Sequence, residues 1–239
     1  MSSLIFNSYI FMDGLLLVMP HLSFLTHRLL GFSALFLVGC STSTNQTIET
    51  VSYVFQNPQD IVLTSAQLRE LPYASAYIKV GDLPQALVIL AYVNGSRLSW
   101  MSADGVVFVT QHGRLIKTVG LPNDLRYLGG LDKDPLHTSR LDKIPSMLWY
   151  SVAEWSQKYT SGYPLSMSYR LVDKADIEIL DQSYKTTILA ETVVVSPQNI
   201  KWQNYFWIDD KTGRVRKFKQ HLGPSLPTVE MTFLKPYSL

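Results

Sequence analysis

From Tyr73 to Leu234 the apolar residues fall in short runs rich in Val, Ile, Tyr, Phe, Trp and Thr, broken by Gly, Asn, Asp and Pro. An extended chain turns successive side chains to opposite faces, so such runs bounded by turn residues predict antiparallel strands. Tyr73 to Val80 and Ala86 to Val93 flank Gly81-Asp82-Leu83-Pro84, and Asn94-Gly95 offers the positive-φ pair of a tight turn before Arg97 to Ser102. Val106 to Thr110 and Arg114 to Val119 pair around Gln111-His112-Gly113. Later strands are read over Met147 to Trp155, Tyr163 to Val172, Asp176 to Leu180, Thr186 to Val195 and Lys201 to Ile208. Asp209-Asp210-Lys211-Thr212-Gly213 turns the last of these into Val215 to Lys219, and Val229 to Leu234 closes the series. Sustained helical periodicity is scarce, and no internal repeat is found.

The fold class this predicts is mainly β: an antiparallel meander forming a large curved sheet or partly closed barrel, with one or two short helices. The main helix is expected over Ser65 to Leu71, with Ser65 as its amino-terminal cap. Ser146 to Lys158 also admits a helix, since Leu148, Val152 and Trp155 fall near helical spacing, but its aromatic and β-branched content favours strand. Residues 120–145 carry Gly129-Gly130, Pro122, Pro135 and mixed charges, which predicts a long exposed connection with one helical turn.

Upstream of the strands the pattern changes. Leu29 to Val38 is apolar but shorter than the ~20 residues a membrane-spanning helix needs. It fits the apolar region of a secretory signal, with His27 and Arg28 before it and Gly39-Cys40 after it. Residues 1–39 are read as a lipoprotein signal peptide, whose true start is placed at Met19 because Asp13 interrupts the apolar stretch before it. Cys40 through residue 50 form a lipidated cysteine and a polar tether, beginning Ser41-Thr42-Ser43-Thr44. Residues 51–239 are left as a single β-rich domain.

Composition narrows the chemistry. Cys40 is the only cysteine, so its lipidation leaves the mature domain without thiol, disulfide or cysteine-metal chemistry. A formal net charge of +2 gives no concentrated basic face of the kind nucleic acid requires. The mature histidines, His112, His137 and His221, lie outside metal-ligand spacing of one another and are read as turn or strand-end residues. Asp132 with Asp134, and Asp209 with Asp210, are read as turn formers rather than as a catalytic acid and base. No Gly-x-Ser-x-Gly, phosphate-cradling glycine motif or calcium loop occurs, so no catalytic, metal or cofactor residue is assigned and no cofactor is expected. Trp100, Trp149, Trp155, Trp202 and Trp207 suit either a sheet core or a stacking surface. Trp202 and Trp207 are five apart, so on an unbroken strand they face opposite sides and one lies outside the main core.

Leu71-Pro72-Tyr73-Ala74-Ser75, the run from Gly81 to Val88, the segment from Thr110 to Thr118, and Trp207-Ile208-Asp209 with Thr212-Gly213-Arg214-Val215 resemble the YjbF/GfcB family of lipoproteins. The resemblance, with Cys40, covers nearly the whole chain. It implies a lipoprotein of Gram-negative bacteria that is a non-enzymatic accessory in exopolysaccharide or group 4 capsule production or export. The signal implies diacylglycerol on Cys40 and palmitate-type acylation of the new amino terminus, and Ser41 resembles the signal for sorting to the outer membrane. Expected partners are the membrane through the lipid anchor, polysaccharide-export envelope proteins, a glycan, and a second copy through exposed sheet edges. Two rival functions are carried: a lipid or lipoprotein carrier with a LolA/LolB-like apolar cavity, and a glycan-modifying enzyme with convergent carboxylates.

Overall fold

Alternation of the kind described above is realised as a 12-stranded antiparallel sheet in which every pairing joins neighbours in sequence except one. A computed structural model describes residues 59–137, 147–156, 162–196 and 198–237, so the leader, Cys40 and the tether lie outside the described residues. The strands are β1 (Ser75–Val80), β2 (Ala86–Asn94), β3 (Arg97–Ser102), β4 (Val107–Gln111), β5 (Arg114–Val119) and β6 (Leu125–Leu128). They continue as β7 (Leu148–Trp155), β8 (Tyr163–Ile179), β9 (Gln182–Val195), β10 (Ile200–Asp209), β11 (Val215–His221) and β12 (Thr228–Lys235). The non-sequential pairing is β1 with β12, over Ser75↔Lys235 to Val80↔Val229, and it joins the two ends of the meander. β5 and β6 then lie at opposite edges of the sheet and come together at a seam, leaving a nearly closed barrel.

Side chains tie the seam where a ladder is missing. Thr118 Oγ1 donates to Asp124 Oδ1 at 2.8 Å and accepts from Leu125 N at 3.0 Å. Asp124 also accepts from Gly120 N and Leu121 N, which shapes the short β5–β6 connection.

Inside, Trp100, Phe108, Trp149, Leu189, Phe206, Phe218 and Met231 fill the barrel. The space left near Trp202 and His221 is only about 20 Å³. The buried tryptophans satisfy their ring N–H groups within the fold: Trp100 on Thr110 Oγ1, Trp149 on the Gly130 carbonyl and Trp155 on the Leu222 carbonyl. Trp202 packs against the core, while Trp207, on the other face of β10, lies outward with the Lys217 ammonium 5.2 Å from its ring. The opposite-face expectation for this pair holds, and the core reading holds for the other tryptophans.

Several local expectations are corrected. Helix α1 (Ser65–Glu70) is capped by Thr64, not Ser65: Thr64 Oγ1 accepts from Gln67 N, and the Gln67 side chain accepts from Thr64 N in a reciprocal capping box. The β2–β3 turn is Gly95-Ser96, one residue later than Asn94-Gly95, because Asn94 pairs with Arg97. Tyr163 to Val172 and Asp176 to Leu180 are one strand ending at Ile179, with Val172 accommodated at a bulge between Leu171 and Asp173 and Leu180 in the turn that follows. Charges there suggest a turn in sequence, but these positions are solvent-exposed and a strand keeps them hydrated.

The largest correction concerns residues 120–137. They contain β6 and two 3₁₀ turns, Leu131–Lys133 and Pro135–His137, and bury Leu125, Leu128, Asp134 and Leu136. Gly129 N donates to the Val152 carbonyl, and the Ser151 hydroxyl to the Gly129 carbonyl, so the segment is pinned to β7. Glycines and prolines mark irregular backbone here, but not exposure; the remainder of the expected connection, 138–146, lies outside the described residues.

Candidate functional site

A charged cluster lies within the barrel. Arg114, the first residue of β5, is 1 % exposed and binds Asp134 through Nε at 2.6 Å and a terminal nitrogen at 3.1 Å. The same guanidinium reaches Glu191 on β9 at 2.8 and 3.0 Å. Its central carbon lies over the Trp149 and Phe206 rings, 4.6 and 5.0 Å from their centroids. Asn204 on β10 donates to Glu191 Oε2 at 2.6 Å and accepts from His221 N. Burial works against the Arg114 charge, but Asp134 and Glu191 outweigh it and hold the guanidinium firmly protonated. Burial and the Glu191 charge push the neighbouring Tyr169 phenol well up, so it stays neutral.

This cluster organises one end of the barrel. Asp134 Oδ1 also accepts from Leu136 N, which fixes the second 3₁₀ turn and delivers His137. His137 stacks on His112, at the β4–β5 tip, with centroids 4.2 Å apart and planes 20° from parallel. Burial first, then the neighbouring His137, hold His112 below the usual imidazole range, and Asp134 opposes them. Gly113 brings the tip against β11: a Cβ there would stand 2.4 Å from Val215 Cβ, and its φ of +82° is open to glycine.

Three hairpin tips, β2–β3, β4–β5 and β10–β11, meet at this end with Pro236 and Tyr237 after β12, and enclose a cavity of about 400 Å³. Leu98, Val215, Phe233, Pro236 and Tyr237 contribute apolar lining, and Ser96, Thr212, His112, His137, Arg214 and Arg216 contribute polar and basic lining. Arg216 is already engaged: it binds Asp209 Oδ2 at 2.8 and 2.9 Å and lies 4.3 Å from the Tyr184 ring centroid. Burial works to raise the Asp209 carboxyl, but Arg216 and the amides of Lys211 and Thr212 hold it below the usual range. Arg214 is exposed and makes no ion pair among the described residues. No carboxylate is among the described residues lining the cavity.

The residues singled out from sequence thus part company. Asp134 becomes half of a buried ion pair and Asp209 holds the β10–β11 turn, while their neighbours Asp132 and Asp210 are exposed. His112 and His137, 25 apart in sequence, are brought together, and His221 lies apart, against Trp202. No group of three or more metal-capable side chains occurs among the described residues. Arg114, Glu191, Asn204 and Arg214 were not singled out from sequence. Glu191 did carry a signal: it shares the alternation of Leu189, Val193 and Val195, so a carboxylate sits on the apolar face of β9.

Fold and cavity first define a class: an antiparallel β-barrel domain with a packed interior, an internal ion cluster and a basic cavity at one end. Within that class, residues 48–234 match the family model described as "Group 4 capsule polysaccharide lipoprotein gfcB, YjbF". The chain belongs to this family, as its sequence motifs suggested. Similar proteins from Escherichia coli K12 are the uncharacterized lipoprotein GfcB, 32% identical over 87% of this chain and 97% of that protein, and the uncharacterized lipoprotein YjbF, 28% identical over 84% and 93%. The crystal structure of the hypothetical lipoprotein YmcC from the same organism superimposes with a TM-score of 0.69 at 30% identity, covering 84% of this chain and 100% of that one.

Proposed function

We propose that this protein is a lipid-anchored accessory of exopolysaccharide or capsule production or export, held by Cys40 at the periplasmic face of the outer membrane, and that it acts without catalysing a reaction. The family match over residues 48–234 carries this reading. The cavity supports a binding role: glycoside cleavage generally calls for two carboxylates flanking the bond, and the described lining offers basic and hydroxyl groups instead. The rival carrier reading needs a large apolar interior, whereas the described barrel interior is filled by aromatic side chains and an ion cluster.

Deleting the gene is expected to lower the amount or shorten the chains of secreted polysaccharide, with restoration by the intact gene. Unchanged amount and chain length under expressing conditions would refute the role. For the anchor, Cys40→Ser is expected to move the protein from the outer-membrane fraction to the soluble periplasmic fraction or to leave it as uncleaved precursor. A variant that still fractionates with outer membrane as a processed protein would remove Cys40 from the scheme.

A further inference from the structure

We infer that the end cavity binds a carboxylate-bearing sugar unit, with Arg214 holding the acid and the ring lying against Leu98, Pro236 and Tyr237. This rests on the accessory role above and names the chemistry of what that role handles. Three observations carry it. The described lining holds the guanidiniums of Arg214 and Arg216 and no carboxylate, so an anion is favoured over a cation there. Of the two guanidiniums, Arg216 is occupied by Asp209 and Tyr184, while Arg214 has no ion pair among the described residues. The accessible remainder of the lining is apolar and aromatic at Leu98, Pro236 and Tyr237, and Ser96 and Thr212 add hydroxyls.

A sugar acid matches that distribution: its C–H face suits Leu98, Pro236 and the Tyr237 ring, its hydroxyls suit Ser96 and Thr212, and its carboxylate suits a planar guanidinium fork. A fatty acid would use the apolar lining and the charge but would leave the Ser96 and Thr212 hydroxyls facing hydrocarbon. The volume, about 400 Å³, lies toward the small end of the range for small-molecule sites and suits a short saccharide segment. The buried Arg114–Asp134 pair acts as a positioning element, because it holds the turn that places His137 in the lining.

The test uses the full-length lipoprotein in detergent micelles and calorimetric titration with tetragalacturonate, maltotetraose and oleate. Tetragalacturonate is expected to bind at least about tenfold more tightly than maltotetraose, and Arg214→Ala to weaken it about tenfold, as loss of a charged hydrogen bond does. Arg214→Glu is expected to abolish it, and Lys117→Ala, on the exposed outer side of β5, to leave it unchanged. Arg214 is exposed, so these variants are expected to keep the wild-type near-ultraviolet circular dichroism. Equal affinity for acidic and neutral saccharides, no binding of either, indifference to Arg214→Ala, or tighter binding of oleate would each overturn the assignment. If binding fails while gene deletion still reduces polysaccharide, the cavity assignment alone falls; if deletion has no effect, the accessory role falls whatever the cavity binds.

Discussion

Arg114 compensates two carboxylates in a barrel interior from which water is largely excluded, so each member of the cluster depends on the others. Arg114→Met keeps much of the side-chain volume but leaves Asp134 and Glu191 buried without their cation; it is expected to cost about 3–5 kcal/mol. Chemical denaturation should show this as a lower midpoint, and Arg114→Lys should fall between variant and wild type because it keeps charge but loses the fork. Titration gives a second prediction. Asp209 titrates below its unfolded value, so the folded state binds fewer protons there and stability is lost as pH falls through the carboxylate range. His112 and His221 are also lowered, chiefly by burial; the folded state resists protonating them, so their contribution is full above about pH 6.5 and declines below it. Stability measured from pH 8 downward should therefore decline in an upper step from the histidines and a lower step from carboxylates. His112→Asn, which tolerates the φ of +50° at that position, should reduce the upper step, and Asp209→Asn the lower. An unchanged profile in both variants would contradict these assignments.

Elements here are set by turns as much as by strands. Gly113 and Gly95 both occupy left-handed backbone at hairpin tips, but only Gly113 abuts another element. Gly95→Ala should cost about 1–2 kcal/mol from backbone strain alone. Gly113→Ala should cost about 1–3 kcal/mol more, because the added methyl collides with Val215 and displaces the tip that carries His112. Paired unfolding measurements would separate the two effects; equal costs would mean that the β4–β5 tip does not press on β11. Strand positions were legible because a two-residue period is a local property of the chain: the limits of β3 and β5 match the sequence reading at both ends. β6 was missed because four residues between glycines and prolines carry too little alternation to stand out. The β8 interruption was misread because a bulge and a turn share the same polar signature.

At the scale of the molecule, closure depends on β12, which pairs with both β1 and β11 and buries Val229, Met231 and Phe233. Ending the chain after Pro227 should open the barrel, and loss of cooperative unfolding with rapid proteolysis should report it; a truncated protein that unfolds cooperatively at the wild-type midpoint would show that closure is dispensable. Sequence by itself determined the strand class, most of the turns, the split of Trp202 and Trp207 across β10, and the family, because alternation, turn chemistry and motif order are written along the chain. Only the tertiary structure decided that β1 meets β12, that residues 129–137 fold inward, and that Arg114, Asp134 and Glu191 share one cluster beneath the His112–His137 stack. Those contacts join positions as far as 160 residues apart, Ser75 with Lys235, and no local period encodes which distant strand will bring a compensating charge.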